Sequence, residues 1–406
     1  MKPLSKKSLV SKAAKTQDFR SNPVFPEDTR WMRAAIMAAQ RGIGRSGVNP
    51  PVGCVLIGAD GQLLASGHTG AGGVPHAESA ALASLDDAGR IALQGGTAYV
   101  TLEPCAHQGK TPPWADALIA AGIARRVVAL HDPDPRGNGN GLAQIAKEGI
   151  IVCLGVEAAL ASETLKYFIH KIQNGKPYCS LKIAASIDGR IALSDRKKRW
   201  LTGPEMRRYV HLLRSQADAI ITGIGTVLAD DPQLNCRNEG LENDSPPIFI
   251  FDRLLRISAA AAILQSPHPV TLFCSEAASE PRRQALGDAG CVIVPLPGDA
   301  EGRPDIGAAL RYMGMRGVNH ALVEAGTGLV TSFLAADAAD CLYWTQSDHI
   351  LGGDALPAVG QFTSQTINAV AILAENRYIQ THYQAIGNDR LIILQKPSAN
   401  TGRTQA

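Results

Sequence analysis

The stretch Thr101-Leu-Glu-Pro-Cys-Ala-His-Gln-Gly-Lys-Thr-Pro-Pro-Trp114 constrains the fold of this 406-residue chain more than any other. An apolar run with strand character, Thr97-Ala-Tyr-Val-Thr-Leu102, leads into it. A helical pattern, Ala115-Asp-Ala-Leu-Ile-Ala-Ala121, leaves it. Pro104-Cys105 therefore stands where a strand hands over to a helix, and a thiolate there is favoured by the helix dipole. Upstream, His76-Ala-Glu78 opens another helical run. Imidazole and thiolate are zinc ligands, and a carboxylate two residues from the imidazole can carry protons for a metal-bound water.

The flanking pattern predicts an α/β unit. A helix is expected over Asp28–Gly42, a turn and strand over Asn49–Ile57, a hairpin turn at Ala59-Asp-Gly-Gln62 and a return strand to Gly67. One helix is expected from His76 to about Gly89, then the strand at 97–102, the helix from Ala115, a strand over Arg126–Leu130, a helix over Leu142–Glu148 and a strand at 150–154. Alternation of this kind buries a sheet between helical layers. A helical stretch, Glu157–Ile172, ends in the turn cluster Asn174-Gly-Lys-Pro177, which marks a domain boundary. The expected organisation is a disordered basic tail over 1–25, a first domain over 26–173 and a second over 177–397. The tail carries Lys2, Lys6, Lys7, Lys12 and Lys15 among serines, a composition that also fits a transit peptide.

The second half restarts with strand Tyr178–Ala185, helix Pro204–Ser215 and strand Ala219–Thr222. Further strands are expected at 247–251, 270–274, 292–294 and 319–324, with antiparallel strands over Tyr378–Gln395. Two glycine-bearing turns follow strands here: Gly223-Ile-Gly-Thr226, and Glu324-Ala-Gly-Thr-Gly328 ahead of a helix. Glycines in such places let backbone N–H groups approach a phosphate. Neither run is GxGxxG, so a Rossmann assignment is unsupported. Arg214 and Arg237 suit a phosphate bidentately, whereas Arg207 and Arg208 read as solvated surface arginines. Net charge is only +3, which gives no reason to expect nucleic acid. The eight cysteines are scattered, as in a cytoplasmic enzyme with reduced thiols, and no apolar run reaches membrane-spanning length.

His-x-Glu followed by Pro-Cys is the signature of zinc nucleobase deaminases. Beyond that, Asn49-Pro-Pro-Val-Gly-Cys-Val55, His76-Ala-Glu78 and the 101–113 stretch resemble the deaminase half of the bifunctional riboflavin-biosynthesis deaminase/reductase family. Lys182-Ile-Ala-Ala-Ser-Ile-Asp-Gly-Arg190, Trp200-Leu-Thr-Gly203, the 223–237 run, Val323-Glu-Ala-Gly326 and Leu351-Gly-Gly353 are similar to its reductase half. The resemblance spans about residues 27 to 395. It implies a cytidine-deaminase-like α/β/α sandwich followed by a dihydrofolate-reductase-like α/β domain, with zinc and NADPH as cofactors and phosphoribosyl pyrimidines as substrates. His76 and Cys105 would ligate zinc, Glu78 would shuttle protons, and Asn49 would bond the pyrimidine. Ala184, Trp200, Thr226, Asp230 and the Gly326-Thr327-Gly328 turn through Ser332 would contact NADP. Lys198, Arg214, Leu234, Arg237 and Glu324 would hold the substrate, Lys198 standing where some relatives have serine. A homo-oligomer is expected from the family alone.

One departure matters. The family's third zinc ligand is a cysteine after Thr-Pro-Pro, and here that residue is Trp114, whose side chain offers only an N–H donor. Asp116 or His107 could substitute, Cys54 could enter the site, or the deaminase half could be degenerate and the protein a reductase only. A nucleic-acid-editing deaminase and a regulatory NADP-binding protein are the remaining alternatives; the charge and the second-half motifs argue against the first.

Overall fold

The computed structural model describes residues 19–104, 114–134, 140–195, 197, 199–299, 301–362 and 378–397, with only the backbone described at 21, 114–116 and 140. Cys105, His107, Lys198, the side chains of Trp114 and Asp116, and residues 1–18 of the basic tail lie outside the described residues. Two compact units divide the chain. The first takes the residues up to Arg41 with Val52–Thr69 and Pro75–Thr164; the second takes Gly42–Pro51, Gly70–Val74 and everything from Leu165.

In the first unit, α1 (Pro26–Gln40) begins on an acid that is buried rather than solvated. Asp28 accepts the Phe25 backbone N–H (2.7 Å), the Tyr99 hydroxyl (2.8 Å) and two bonds from Arg125 (2.6 and 2.7 Å). Burial pushes its carboxyl up, but Arg125 and the other donors outweigh this and hold it below the usual range. The chain continues through β1 (Gly53–Ile57), β2 (Leu63–His68), α2 (Ala77–Ala83), α3 (Asp87–Ala92), β3 (Thr97–Leu102), α4 (Trp114–Ala120), β4 (Arg125–Leu130), α5 (Asn140–Lys147) and β5 (Ile151–Leu154). It then enters α6 (Ala158–Asn174), within which the division between the units falls.

The sheet order is β2-β1-β3-β4-β5; β1 is antiparallel to both neighbours and β3, β4 and β5 are parallel. Period-2 alternation sends Cys54, Leu56, Val100 and Val128 to one apolar layer with α2, α4 and α5, and Val55, Ile57, Tyr99 and Val127 to the other with α1. The result is the α/β/α sandwich. Glycine sets the helix spacing: a Cβ on Gly53 would lie 1.9 Å from the Ala35 carbonyl oxygen of α1, and one on Gly67 would lie 2.3 Å from that of Ala77 in α2. The single helix expected from His76 to about Gly89 is two helices, because the Asp86 side chain accepts the Gly89 N–H (2.8 Å) and starts a new one.

The second unit runs β6 (Tyr178–Ala185), β7 (Arg190–Ala192), α7 (Pro204–Ser215), β8 (Ala219–Gly223), α8 (Ile224–Asp230), β9 (Ile248–Phe251), β10 (Val270–Ser275), α9 (Glu280–Asp288) and β11 (Val292–Leu296). It continues as α10 (Ile306–Met315), β12 (His320–Glu324), α11 (Thr327–Ala335), β13 (Cys341–Gln346), β14 (Leu356–Pro357), β15 (Ile379–Ile386) and β16 (Asp389–Gln395). Nine strands form one sheet in the order β11-β10-β9-β8-β12-β6-β13-β16-β15, parallel as far as β13 and antiparallel for the last two. Strand β6 is first in sequence yet lies between β12 and β13, so the strand order reverses beside it. In open parallel sheets ligands bind outside the carboxyl ends of strands at such a reversal. The ends concerned carry Gly223, Glu324 and Ala185.

Candidate active sites

In the first unit, His76 is the residue before α2, in extended conformation, and Glu78 lies in the first helical turn. Glu78 is 4% exposed, and its Oε1 accepts a hydrogen bond from Nη2 of Arg126 at 2.9 Å. Arg126 is the second residue of β4, flanked by Ala98 on β3 and Val152 on β5. It is fully buried, and its Nε and Nη1 find no acceptor among the described residues. Cys54 is buried nearby: desolvation, then the Glu78 charge, push its thiol pKa up, while Arg126 pulls it down. Glu103, also buried, accepts from His131 (Nδ1, 2.9 Å) and from the Asp132 N–H (3.2 Å), pinning the chain that leaves β3 and β4.

A catalytic zinc takes three protein ligands and a water. At the three positions where ligands are expected this chain has His76, Cys105 and Trp114, and an indole has no lone pair to offer a metal. Among the described residues no group of three or more His, Cys, Asp and Glu side chains could hold a metal ion. Asn49, expected to bond the pyrimidine, belongs to the second unit, where its Nδ2 donates to the Gly73 carbonyl at 3.4 Å.

In the second unit two cavities, of about 910 and 550 Å³, meet along walls that include Trp200, Thr226, Asp230 and Gly326. The larger is also lined by Thr327, Gly328 and Ser332 at the start of α11. Ala184, expected with these residues, lines the smaller cavity instead. The Gly326 N–H donates to Thr226 Oγ1 (3.1 Å), which ties the head of α11 to α8. A Cβ on Gly225 or Gly328 would meet nothing within 4 Å, so the backbone there faces open space. The run after β8, expected as a glycine loop, is helical from Ile224. Sequence reasoning missed the basic end of this cavity, where Arg253 and Arg256 stand with no carboxylate paired to either among the described residues, beside Arg303. Their loop is braced: buried Asp252 accepts the Ile257 N–H (2.8 Å), Leu255 has φ +56°, and Arg282 donates to the Leu255 carbonyl. The available signal was Asp-Arg-Leu-Leu-Arg directly after a buried strand.

The smaller cavity brings together Arg214, Leu234, Arg237 and Glu324, and adds Lys182, Arg207 and His211. Arg214 is not a free cation. It forks onto Glu324 (Nε–Oε1 2.6 Å, Nη2–Oε2 3.0 Å) and donates to the Asn235 carbonyl (3.0 Å). Burial raises the Glu324 carboxyl, but Arg214 and Lys182 outweigh it and hold it below its ordinary value. Lys182 pairs in register with Glu324 across β6 and β12; burial, aided by Arg214 and opposed by Glu324, holds its ammonium below the usual lysine range. His211 Nδ1 lies 3.1 Å from the Asn235 carbonyl oxygen and 3.2 Å from the Arg237 nitrogen. Burial and the neighbouring Arg214 and Arg237 push its pKa down to about 4.

The reading of Arg207 as solvated surface is wrong. It is half-buried in this wall, donates to the Thr202 carbonyl (2.8 Å), and lies 4.8 Å over the Trp200 ring. Positions 207, 211 and 214 follow the i, i+4, i+7 spacing of one helix face, which is the signal that could have found it.

These features define a chain of two enzymatic units: a deaminase-type α/β/α sandwich carrying His-x-Glu, and a reductase-type unit with adjoining cavities at a parallel sheet's topological switch. Residues 26–130 match the cytidine and deoxycytidylate deaminase zinc-binding region, and residues 177–392 match the RibD C-terminal domain. The riboflavin biosynthesis protein RibD of Escherichia coli K12 is 36% identical over 340 residues, 81% of this chain and 90% of that protein. Acinetobacter baumannii RibD superposes with a TM-score of 0.81 at 33% identity, covering 92% of this chain and 99% of that one. A diaminohydroxyphosphoribosylaminopyrimidine deaminase/5-amino-6-(5-phosphoribosylamino)uracil reductase from Thermotoga maritima gives 0.78 at 30% identity, covering 91% and 99%. The chain belongs to the RibD family, the bifunctional deaminase/reductases of riboflavin biosynthesis. The family is at once hydrolase and oxidoreductase, its cofactors are zinc and NADPH, and this chain carries both halves. No described helix is long and apolar enough to cross a membrane.

Proposed function

We propose that the second unit reduces the ribosyl group of 5-amino-6-(5-phosphoribosylamino)uracil to ribityl, and that the first unit serves the preceding hydrolytic deamination of 2,5-diamino-6-(5-phosphoribosylamino)pyrimidin-4-one. The observation that carries the reductive half is the pair of adjoining cavities sharing Trp200, Thr226, Asp230 and Gly326. Bound NADPH supplies the hydride. The head of α11, with Thr327, Gly328 and Ser332, holds its phosphates, and Arg253 and Arg256 receive the phosphate that distinguishes it from NADH. Across the shared wall, Arg237 and Arg207 hold the sugar phosphate; Lys198, which stands where some relatives have serine, is assigned to the substrate by the family resemblance alone. Arg214 and Glu324 form a rigid neutral pair against which the substrate is seated together with Leu234. Lys182, its pKa held down, donates the proton that the sugar ring oxygen needs when the ring opens. Positioning at the junction is the main contribution, since hydride transfer requires no protein nucleophile. The described cysteines are free thiols, in keeping with a cytoplasmic enzyme.

In the first unit His76 and Cys105 would hold zinc, which supplies an ionised water, and Glu78 would take up and return the proton. Two observations favour a second reading, a reductase whose deaminase half is degenerate: Trp114 has no lone pair for zinc, and Glu78 is bonded to Arg126. Zinc per purified chain, in the parent and in Trp114→Cys, separates the two. One zinc in the parent supports deamination through a substitute ligand; none in the parent and one in the variant supports the reductase-only reading.

A further inference from the structure

We infer that Arg126 makes Glu78 a structural residue in this chain, so that a buried ion pair rather than a metal holds α2 against the sheet. The inference deepens the reductase-only reading. It rests on where the guanidinium sits. Arg126 is the largest of the fully buried side chains among the described residues, and it shares its face of the sheet with Ala98, Val128, Val152 and Leu56, all apolar. A charge in such a layer carries a heavy desolvation cost unless a counter-ion meets it. Glu78 is the described carboxylate that does so, 2.9 Å away, with side-chain exposures of 0% for the arginine and 5% for the glutamate.

The remaining geometry makes the dependence one-sided. Nε and Nη1 of Arg126 already lack acceptors among the described residues, so Nη2 and Glu78 carry its only charge-assisted bond there. Releasing the carboxylate toward a substrate would leave the guanidinium buried and uncompensated. A carboxylate fixed in this way joins the first turn of α2 to β4, and Glu78 then holds the helix start in place without a metal.

The test uses the full chain and thermal unfolding, with and without a zinc chelator, for the parent, Arg126→Met, Glu78→Gln and the double variant Glu78→Met/Arg126→Met. Breaking a buried pair from either side should lower the transition of the first unit by roughly 5–15 °C. The double variant, which replaces the pair by apolar side chains, should regain at least half of that loss. Chelator should leave the parent transition where it is. A chelator-induced drop in the parent, or a Glu78→Gln chain as stable as the parent, overturns the inference, and so do two single-variant losses that simply add in the double variant. Additive losses in a zinc-free parent overturn it while the reductase-only reading stands. Deaminated product formed by the parent, followed separately, would defeat that reading.

Discussion

At the scale of single residues, the substrate cavity is organised by which charges are already neutralised. Arg214 is committed to Glu324, whereas the Arg237 guanidinium donates, among the described residues, only to the Asn235 side chain (2.7 Å) and is open to an anion. Arg237→Ala should raise KM for the phosphorylated substrate roughly 10–100-fold with a smaller effect on kcat, the worth of one or two charge-assisted bonds. Steady-state NADPH oxidation measures this. Glu324→Gln leaves two buried cations uncompensated and should cost about 3–5 kcal/mol of stability by denaturant unfolding. A different pair of groups adds to the response to pH. Burial pushes His320 down to about 4; its ring stacks on Tyr167 at 4.0 Å and its Nε2 lies 2.9 Å from Ser180 Oγ. The unfolded chain binds this proton near pH 6.5 and the folded chain does not until about 4. The stability it contributes is therefore complete above pH 6.5 and lost as pH falls toward 4. Asp218, pushed up to about 6 by burial, works the other way between pH 3.8 and 6. His320→Asn should flatten the acid limb of a stability-versus-pH curve, and an unchanged slope would contradict the assignment. Arg214 and Arg237 stood out in the sequence because a guanidinium fork suits a phosphate, and Glu324 was named through the family resemblance; all three line one cavity. Arg207 was not, because only the helix phase of α7 turns it inward.

At the scale of elements, the sequence showed what depends on local pattern. Strand β3 falls where the apolar run predicts it, and α7 lies between its proline and Ser215 as expected. Less local features were invisible. The break between α2 and α3 depends on one capping aspartate, Asp86, within a run whose spacing reads as continuous helix. Strand β13 is buried at four of its six positions, so it shows little alternation. The glycines of α8 looked like a loop, but Gly223 precedes the helix and Gly225 lies inside it. That placement yields a prediction. Open space faces Gly225 and Gly328, so a side chain fits the free protein and would compete with a cofactor bound as proposed. Gly225→Val or Gly328→Val should keep the fold within about 1 kcal/mol of the parent, the cost typical of helix-interior propensity changes. KM for NADPH should rise at least about tenfold, the equivalent of roughly 1.4 kcal/mol. A variant with unchanged KM would place the cofactor elsewhere.

At the scale of the whole molecule, the parallel part of each sheet follows from alternation of strands with helical segments, the β1–β2 hairpin from its turn, and the antiparallel end of the second sheet from the pattern over 378–395. The position of β6 between β12 and β13 could not be read locally, since it depends on pairing between segments more than a hundred residues apart. Yet that position creates the reversal beside which both cavities lie. The sequence motifs named the enzyme family, while Arg126 inside the first sheet became meaningful only once Glu78 stood next to it. The most direct test of the central claim is NADPH oxidation by the purified chain, given 5-amino-6-(5-phosphoribosylamino)uracil in one reaction and its 2,5-diamino precursor in another. The account predicts stoichiometric oxidation with the uracil and a ribityl product, whatever the precursor does. No oxidation with the uracil would contradict it.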